Sequence, residues 1–202
     1  MSFFDGQNVV HGARRAFDRF EPEFNPLRLS TALCDRAGWL LAGVRFYTGV
    51  PSERDDPAWR AFWTTQLGGM RNCGVHTFSR PVAYRSATVV CPVCGPRRVR
   101  VGAEKGIDVR IALDIVRLAL DEVFDVALVF SQDQDLTEAI EDVRRVADLQ
   151  NRWIKVACAF PDQTGRGRGI ERTDWIRIDR TTWEACLDPN ARPPASGRAS
   201  ET

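Results

Sequence analysis

The sequence has no apolar run long enough to cross a membrane, and Met1-Ser-Phe-Phe does not open a signal-peptide pattern. It also has no excess of charge of either sign, since 28 Lys and Arg residues balance 27 Asp and Glu residues, giving a net charge of +1. A nearly neutral chain has no general affinity for polyanions, so any nucleic-acid site must be a local basic surface. No internal repeat is visible. We therefore expect a cytoplasmic protein with no membrane partner.

The 202 residues, 44% of them hydrophobic, suffice for one domain with a real core. Of six cysteines, three lie in apolar or helical stretches and are expected to be buried thiols, as in a reducing compartment. Only Cys91 and Cys94 form a tight pair. The end of the chain is rich in Pro, Ser, Ala and Arg. We predict a domain over residues 1–188 and a disordered tail over 189–202.

The central stretch of the sequence is a buried strand that ends in acidic residues. Val126 to Phe130 is a continuous apolar run, followed by Ser131-Gln-Asp-Gln-Asp135 and then by an amphipathic segment, 136–149. Strands and helices alternate along the rest of the chain, for example with a helix at 9–20 and a strand at 39–47. This order predicts an α/β protein with a mostly parallel sheet covered by helices on both faces, a three-layer α/β/α sandwich.

A segment with a different residue pattern interrupts this alternation at about residues 82–102. Two weakly alternating stretches flank the turn Cys91-Pro-Val-Cys-Gly95, which predicts an inserted β-hairpin. Two thiolates from one tight turn are typical of a zinc knuckle, which supplies half of a tetrahedral site. Cys73 and His76 are candidates for the other half. A turn without metal is the alternative.

Acidic residues recur where strands end or helices begin: Asp5, Asp108, and Asp133 with Asp135. The carboxyl ends of parallel strands share one edge of a sheet, so Asp5 and Asp133 are expected to converge. Clustered carboxylates repel one another, and Mg²⁺ or Mn²⁺ is a suitable neutralising ion. Each residue also has a local explanation, namely an Asx-turn at Asp5, a helix N-cap at Asp108 and a capping box at Asp135. Asp114 is expected to be a solvated charge.

Three blocks of the sequence resemble the signature blocks of the NYN domain, the LabA-like branch of the PIN-like nucleases, in order and in spacing. They are Phe3-Phe-Asp-Gly-Gln-Asn8, Glu104-Lys-Gly-Ile-Asp-Val109 with Ala112-Leu-Asp114, and Phe130-Ser-Gln-Asp-Gln-Asp-Leu136. The later stretch from Arg172 to Asp179 is similar to the closing strand of that family. The resemblance covers about residues 2–188, interrupted by the hairpin, and implies a PIN-like, Rossmann-like fold.

The resemblance further implies an endoribonuclease centre that uses Mg²⁺ or Mn²⁺. It implies that water attacks the phosphodiester in line and leaves a 5′-phosphate and a 3′-hydroxyl. Gln132 and Gln134 depart from the family pattern, in which smaller residues are common, and they are expected to add bulk beside the acids. By motif, the metal ligands would be Asp5, Asp108 and Asp133, with Asp135 as a fourth acid, Asn8 beside Asp5 or the phosphate, and Lys105 near the phosphate.

Local arginines are candidates for binding single-stranded or structured RNA, although a solvated face is an equally simple explanation. The first hypothesis is a metal-dependent ribonuclease, and the second is a non-catalytic RNA-binding module with the same fold. A homo-oligomer is left open, as are the RNA target and the biological role. The candidate RNA-binding residues are Arg14 and Arg15, Arg97 and Arg98 on the hairpin, and Arg166 and Arg168 in a Gly/Arg loop.

Overall fold

A computed structural model describes residues 1–19, 22–91 and 94–194, which contain eight strands and six α-helices. In chain order they are β1 (Ser2–Asp5), α1 (Gly6–Phe17), α2 (Pro26–Ala37), β2 (Val44–Val50), α3 (Pro57–Asn72), β3 (His76–Pro81), β4 (Ala83–Cys91), β5 (Gly95–Ala103), α4 (Ile107–Leu120), β6 (Val126–Phe130), α5 (Thr137–Leu149), β7 (Lys155–Pro161), β8 (Asp174–Ile178) and α6 (Arg180–Ala185).

Six strands form one sheet in the order β3-β2-β1-β6-β7-β8, and every neighbouring pair is parallel. The central strand β1 pairs with β2 on one side and with β6 on the other. The order in which the chain adds strands reverses between β1 and β6, because β2 and β3 extend the sheet to one side of β1, and β6, β7 and β8 extend it to the other. In a doubly wound sheet, ligands bind outside the carboxyl ends of the strands at this switch point.

Alternate side chains of the central strands enter two separate cores. Phe4 stacks on Phe130 with 3.8 Å between ring centroids, in the core covered by α1, α2, α3 and α6. Phe3 points to the opposite face, into the core covered by α4 and α5. Fully burying one such side chain stabilises a fold by about 1.5–3 kcal/mol, so each face of β1 contributes strongly. The predicted three-layer α/β/α sandwich with a parallel central sheet is confirmed.

Strand β2 begins and ends later than the apolar pattern predicted. It runs from Val44 to Val50, whereas the strand was expected at 39–47, and Leu40 is 97% exposed. The register explains the difference, because Val44 pairs with Ser2, the first residue of β1. Before Val44, the Gly43 carbonyl accepts from the Ser2 N–H at 2.9 Å, whereas residues 39–42 pair with no strand of the described sheet, and β3 extends the pairing to Val50. Pairing partners, which local periodicity does not reveal, set the bounds of this strand.

The helix α1 begins at Gly6, three residues earlier than predicted, because Asp5 caps it. The Asp5 carboxylate accepts a hydrogen bond from the Asn8 backbone N–H at 3.0 Å, and the helix begins at Gly6. A Cβ at Gly6 would lie 2.9 Å from the Tyr47 carbonyl oxygen, so the helix can approach β2 this closely only with glycine there. Residue 20, the predicted helix end, lies outside the described residues.

The predicted hairpin is present as β4 and β5, which pair antiparallel from Ala83 with Ala103 to Cys91 with Gly95. It lies between β3 and α4 in the chain and forms a separate two-stranded sheet. The aromatic side chains of α3 pack into the core, and α2 ends at Gly38 in a left-handed conformation. As expected, three cysteines are buried, namely Cys34, Cys158 and Cys186.

In the part of the chain that the structure describes, no helix is both long and apolar enough to cross a membrane. Most of the predicted disordered tail, residues 195–202, lies outside the described residues. The first part of that predicted tail, residues 189–194, is described, and Ala191 within it is buried, with 6% of its surface exposed.

Candidate active site at the carboxyl edge of the sheet

The carboxyl ends of β1 and β6 lie side by side and are joined through Ser131. Asp5 is the last residue of β1, and Ser131 directly follows β6. The buried Ser131 hydroxyl donates to Asp5 Oδ2 at 3.4 Å and accepts from the Asp133 backbone N–H at 3.1 Å. One small side chain therefore positions both strand-end acids. Sequence reasoning passed over Ser131, because a lone serine after a strand carries no distinctive signal.

Asp133 holds the turn that leads from β6 into α5. Its Oδ1 accepts from the Asp135 backbone N–H at 3.0 Å and so caps a short 3₁₀ helix at Gln134–Leu136. The predicted capping box at Asp135 is wrong, because α5 begins only at Thr137 and has no side-chain cap. The 3₁₀ turn moves the start of α5 beyond Asp135, which is exposed.

Asp108 reaches the same edge from α4. The N-cap of α4 is Gly106, in a left-handed conformation at φ 70°, so the N-cap interpretation of Asp108 is wrong. Asp108 instead lies in the first turn, where the partial positive charge of a helix N-terminus favours a carboxylate. Lys105 directly precedes the cap glycine and is exposed.

These elements enclose a cavity of about 380 Å³ that brings four carboxylates together. Asp5, Asp108 and Asp133 were predicted to converge here, and Lys105 is in the lining as well. Asp135 lies outside this lining, in a neighbouring apolar groove that Asp108 shares. The residues that line the cavity are Asp5, Glu104, Lys105, Gly106, Ile107, Asp108, Val109 and Asp133.

Glu104 is the acid that sequence reasoning missed. Its carboxylate accepts hydrogen bonds from the Gly49 backbone N–H and from Thr48 Oγ1, so the end of β2 holds it in place. A Cβ at Gly49 would lie 2.5 Å from Glu104 Cγ, which makes glycine a requirement for this approach. The available signal was a glutamate next to Lys105 in the second block. Nothing in the sequence connected Glu104 to Gly49.

The electrostatics of the cavity favour neutralisation of its acids. Burial raises the pKa of Asp5 to about 6, and the charges of Asp133 and Asp108 add to the effect against the opposing Asn8 hydrogen bond. Burial likewise raises the pKa of Glu104 to about 7, with further contributions from Asp5 and Asp108 against the Gly49 hydrogen bond. Desolvation and like charge both penalise an ionised carboxylate, so a cation in the cavity would relieve both groups.

The donor atoms of the cavity suit a hard divalent cation, but its four acids are spaced too widely to hold one as they stand. Carboxylate oxygens are preferred by Mg²⁺ and Mn²⁺, and Mg²⁺ commonly takes one or two carboxylates while keeping several waters. Within residues 1–19, 22–91 and 94–194, no three His, Cys, Asp or Glu side chains are grouped closely enough to hold a metal ion. The four acids of the cavity therefore do not form such a group. The predicted zinc ligands do not form one either, because Cys73 and His76 are not grouped with the hairpin cysteines.

Asn8 connects the start of α1 to the end of β6. Its backbone N–H donates to Asp5, and its side-chain oxygen accepts from the Gln132 backbone N–H at 2.9 Å. Gln132 and Gln134 turn away from the acids and instead donate to the carbonyls of Arg168 and Gly169. The two glutamines that depart from the family pattern therefore hold the Gly/Arg loop against the site.

Asp114 was expected to be a solvated charge, and this expectation is wrong. It is buried, with 4% of its surface exposed. The Tyr47 hydroxyl donates to its Oδ2 at 2.8 Å, and Arg110 and Arg45 pair with it at 2.7 and 3.6 Å. The helical pattern did not reveal this, because the partner residues Tyr47 and Arg45 come from β2. Asp114 thus stabilises the packing of α4 on the sheet.

The predicted RNA-binding arginines fall into two separate groups. Arg15 donates to Gln132 Oε1 at 3.0 Å, and Gln132 in turn holds the Arg168 carbonyl, so α1 and the Gly/Arg loop meet beside the acidic cavity. Arg14 and Arg166 are exposed in the same two segments. The other group, Arg97 and Arg98, lies on the hairpin and is also exposed.

Comparison with family models matches residues 1–150 of this chain to the NYN domain. Neither the curated proteins nor the solved structures gave a significant match. The matched residues include all four acids of the cavity, Asp5, Glu104, Asp108 and Asp133. The NYN domain is a domain of the PIN-like nuclease superfamily, and NYN nuclease domains act on RNA. The parallel sheet, the acidic edge and the family match agree, and the chain belongs to the NYN family.

Proposed function

We propose that this protein is a Mg²⁺- or Mn²⁺-dependent endoribonuclease. The observation that carries the proposal is the convergence of Asp5, Glu104, Asp108 and Asp133 on one cavity at the switch point of the sheet. Two of these acids, Asp5 and Glu104, have a raised pKa because they are buried near other carboxylates. Such a cluster is costly unless it serves to bind a cation, so a metal-dependent reaction is the simplest explanation.

Asp5, Asp108 and Asp133 would hold the metal, with Glu104 as a further acid in the same cavity. A bound divalent ion would activate water and stabilise the charge that develops on a phosphodiester. Lys105, which also lines the cavity, would bind a phosphate oxygen of the RNA. Ser131 and Asn8 would orient the acids through their hydrogen bonds to Asp5 and to the turn after β6.

The arginines beside the cavity would guide the RNA backbone. Arg14 and Arg15 on α1, and Arg166 and Arg168 in the Gly/Arg loop, are exposed and would form a local basic surface on a molecule of net charge +1. Basic side chains along such an edge attract phosphates without reading the sequence of the RNA.

The test compares the wild type with Asp133→Asn and Asp135→Asn in a cleavage assay with single-stranded and structured RNA and Mn²⁺. Asn can still accept the hydrogen bond that caps the 3₁₀ turn, so Asp133→Asn should fold normally. We expect Asp133→Asn to lose at least about 100-fold in cleavage rate, as expected when a group that stabilises transition-state charge is removed. Asp135 lies outside the cavity, and its variant should retain most of the activity.

The same assay separates the two functional hypotheses when RNA binding is measured in parallel. Metal-dependent cleavage by the wild type and its loss in Asp133→Asn support the nuclease. Tight RNA binding by the wild type with no cleavage under any divalent ion would instead support a non-catalytic RNA-binding module. Equal cleavage by wild type and Asp133→Asn would overturn the proposed site.

A further inference from the structure

The hairpin ends in a pair of thiols that the proposed nuclease site does not use. Cys91 is the last residue of β4, and Cys94 directly precedes β5. The two thiols are hydrogen-bonded to each other, and Cys94 is exposed. Neither forms a disulfide. Two sulfur ligands therefore already lie close together, as they would on one side of a tetrahedral zinc ion.

The hairpin carries this pair away from the rest of the domain. At its base, Arg100 forms an ion pair with Asp55 and lies over the Tyr84 ring, 5.3 Å from its centroid. Near the tip, Val90 is 73% exposed. A nine-residue strand spans roughly 25–30 Å, so the thiols lie well beyond the anchored base.

The domain itself does not complete a zinc site around these thiols. In the described part of the chain, no third Cys, His, Asp or Glu joins the pair in a metal-holding group. Cys73 and His76, the partners suggested by the sequence, lie at the end of α3 and the start of β3. A structural zinc requires four ligands, and another chain with the same hairpin has two to offer.

One face of the hairpin is suited to contact a second copy. Paired residues of an antiparallel ribbon share a face, which puts Ala87 opposite Val99 and Val101 opposite Arg85. Val89, Val99 and Val101 on this face are 49%, 38% and 39% exposed. A lone two-stranded ribbon is marginally stable in water, so covering this face would stabilise it.

The charge of the hairpin also complements a zinc–thiolate centre. Residues 83–103 include four arginines and no acidic residue, so two hairpins alone would repel each other. A zinc ion with four thiolates has a net charge of about −2, which would offset part of that repulsion. The hydrogen bond with Cys91 raises the pKa of the Cys94 thiol, and the contact with Arg97 opposes this rise only in part.

We infer that the hairpin tips of two copies of this protein bind one zinc ion between them, through Cys91 and Cys94 of each copy. Four thiols lose their protons and four thiolates bind Zn²⁺, with no change in oxidation state. The result is a dimer joined at the tips, and its formation does not depend on RNA cleavage.

The test uses the full chain, purified under reducing conditions, stripped of metal and titrated with zinc sulfate. Zinc content is measured by mass spectrometry and molar mass by light scattering. We expect about one tightly held zinc per two chains and a doubling of mass that a chelator reverses. Titration with Co²⁺ should produce the strong sulfur-to-metal absorption of a tetrathiolate, which carboxylates such as those of the acidic cavity do not give.

Serine variants locate the ligands. Cys91→Ser and Cys94→Ser should lose the tetrathiolate absorption and remain monomeric with zinc, while the exposed Cys73→Ser should behave as wild type. One tetrathiolate-type or mixed zinc site per monomer, or loss of the site in Cys73→Ser, would overturn the inference in favour of a site within one chain. A chelator-resistant dimer, or absence of any thiolate–metal absorption, would overturn it as well.

Discussion

Several side chains at the acidic edge have two tasks, one structural and one at the site. Asp5 caps α1 and faces the cavity, while Asp133 caps the 3₁₀ turn and faces the same cavity. Asparagine can replace an aspartate as a cap but not as an anion, so the two tasks can be separated by substitution. Glu104 has a comparable arrangement, since Gly49 and Thr48 hydrogen-bond its carboxylate while burial raises its pKa to about 7.

Glu104→Gln is expected to reduce Mn²⁺-dependent RNA cleavage by about 10- to 100-fold, because it removes an anion from the metal cavity. Glutamine retains an oxygen that accepts from the Gly49 N–H, so the fold should persist. The metal-free variant should be at least as stable as wild type at pH 8, because a buried charge has been removed. Cleavage rates and urea denaturation measure the two effects.

The matched control is Glu53→Gln, which removes a glutamate from an exposed position outside the cavity. It should change neither cleavage nor the free energy of unfolding. If Glu104→Gln cleaved RNA at the wild-type rate, Glu104 would have no role in cleavage. Its role would then be limited to the hydrogen bonds that it accepts from Gly49 and Thr48 of β2.

Among the elements, the loop after β7 is held by a single carboxylate. Asp162 accepts hydrogen bonds from the backbone N–H groups of Thr164, Gly165 and Gly167 at 2.9–3.1 Å, and from Arg177 at 3.1 Å. Burial alone would raise the pKa of Asp162, but these hydrogen bonds outweigh it and hold the pKa below the ordinary value. The loop carries Arg166 and Arg168, so Asp162 fixes the position of a proposed RNA-binding segment.

Asp162→Asn is expected to destabilise the protein by about 1–3 kcal/mol at pH 7, because the amide nitrogen cannot accept from Gly167 or Arg177. A lowered folded-state pKa means that the stabilisation is complete above the unfolded pKa of about 4 and is lost as the pH falls through the folded value. The difference between wild type and variant should therefore shrink below about pH 4.

Denaturation at pH 7, 5 and 3 measures this difference. The exposed Asp174→Asn is a control for the loss of a surface carboxylate, and its effect at pH 7 should be within about 0.5–1 kcal/mol. A difference for Asp162→Asn that stayed constant from pH 7 to pH 3 would contradict the ionic role of Asp162.

At the scale of the whole molecule, a net charge of +1 conceals an uneven distribution of charge. Four carboxylates gather in one cavity, and Gln132, next to Asp133, hydrogen-bonds to Arg15 of α1 and to the Arg168 carbonyl of the Gly/Arg loop. The hairpin forms a second basic segment. RNA affinity should therefore depend on the position of each arginine rather than on the total charge.

The double variant Arg166→Gln/Arg168→Gln is expected to bind RNA more weakly, with a shallower dependence of affinity on salt. Each lost phosphate contact reduces the slope of log affinity against log salt by about 0.7 for single strands, so the slope should fall by about 1.4. The slope is obtained from fluorescence anisotropy with labelled RNA. The salt concentration is varied over roughly 50 to 300 mM.

Arg36→Gln/Arg117→Gln is the control with the same change in charge. Both residues lie in the last turns of their helices, α2 and α4, and neither lines the acidic cavity or belongs to the Gly/Arg loop. This variant should keep the wild-type slope. Equal slopes for both double variants would mean that general charge, not the loop, attracts the RNA.

The sequence alone determined the architecture, because apolar strand patterns, helix spacing and turn residues are local properties. Both ends of the strand Val126–Phe130 were predicted correctly, and the inserted hairpin was recognised from two weakly alternating stretches on either side of a turn. The same local patterns indicated that Asp5 and Asp133 would meet, since parallel strands share one carboxyl edge. Helix caps were predicted less well, because a 3₁₀ turn or a cap glycine shifts a helix start without changing the pattern.

Only the tertiary structure decided which other residues join the acids. Glu104 enters the cavity because Gly49, 55 residues earlier, leaves room for it and donates a hydrogen bond. Asp114 is buried because β2 supplies Tyr47 and Arg45, and the two glutamines hold a loop more than thirty residues away. These contacts join segments that are distant in the chain, and their free energies depend on packing that no local pattern records.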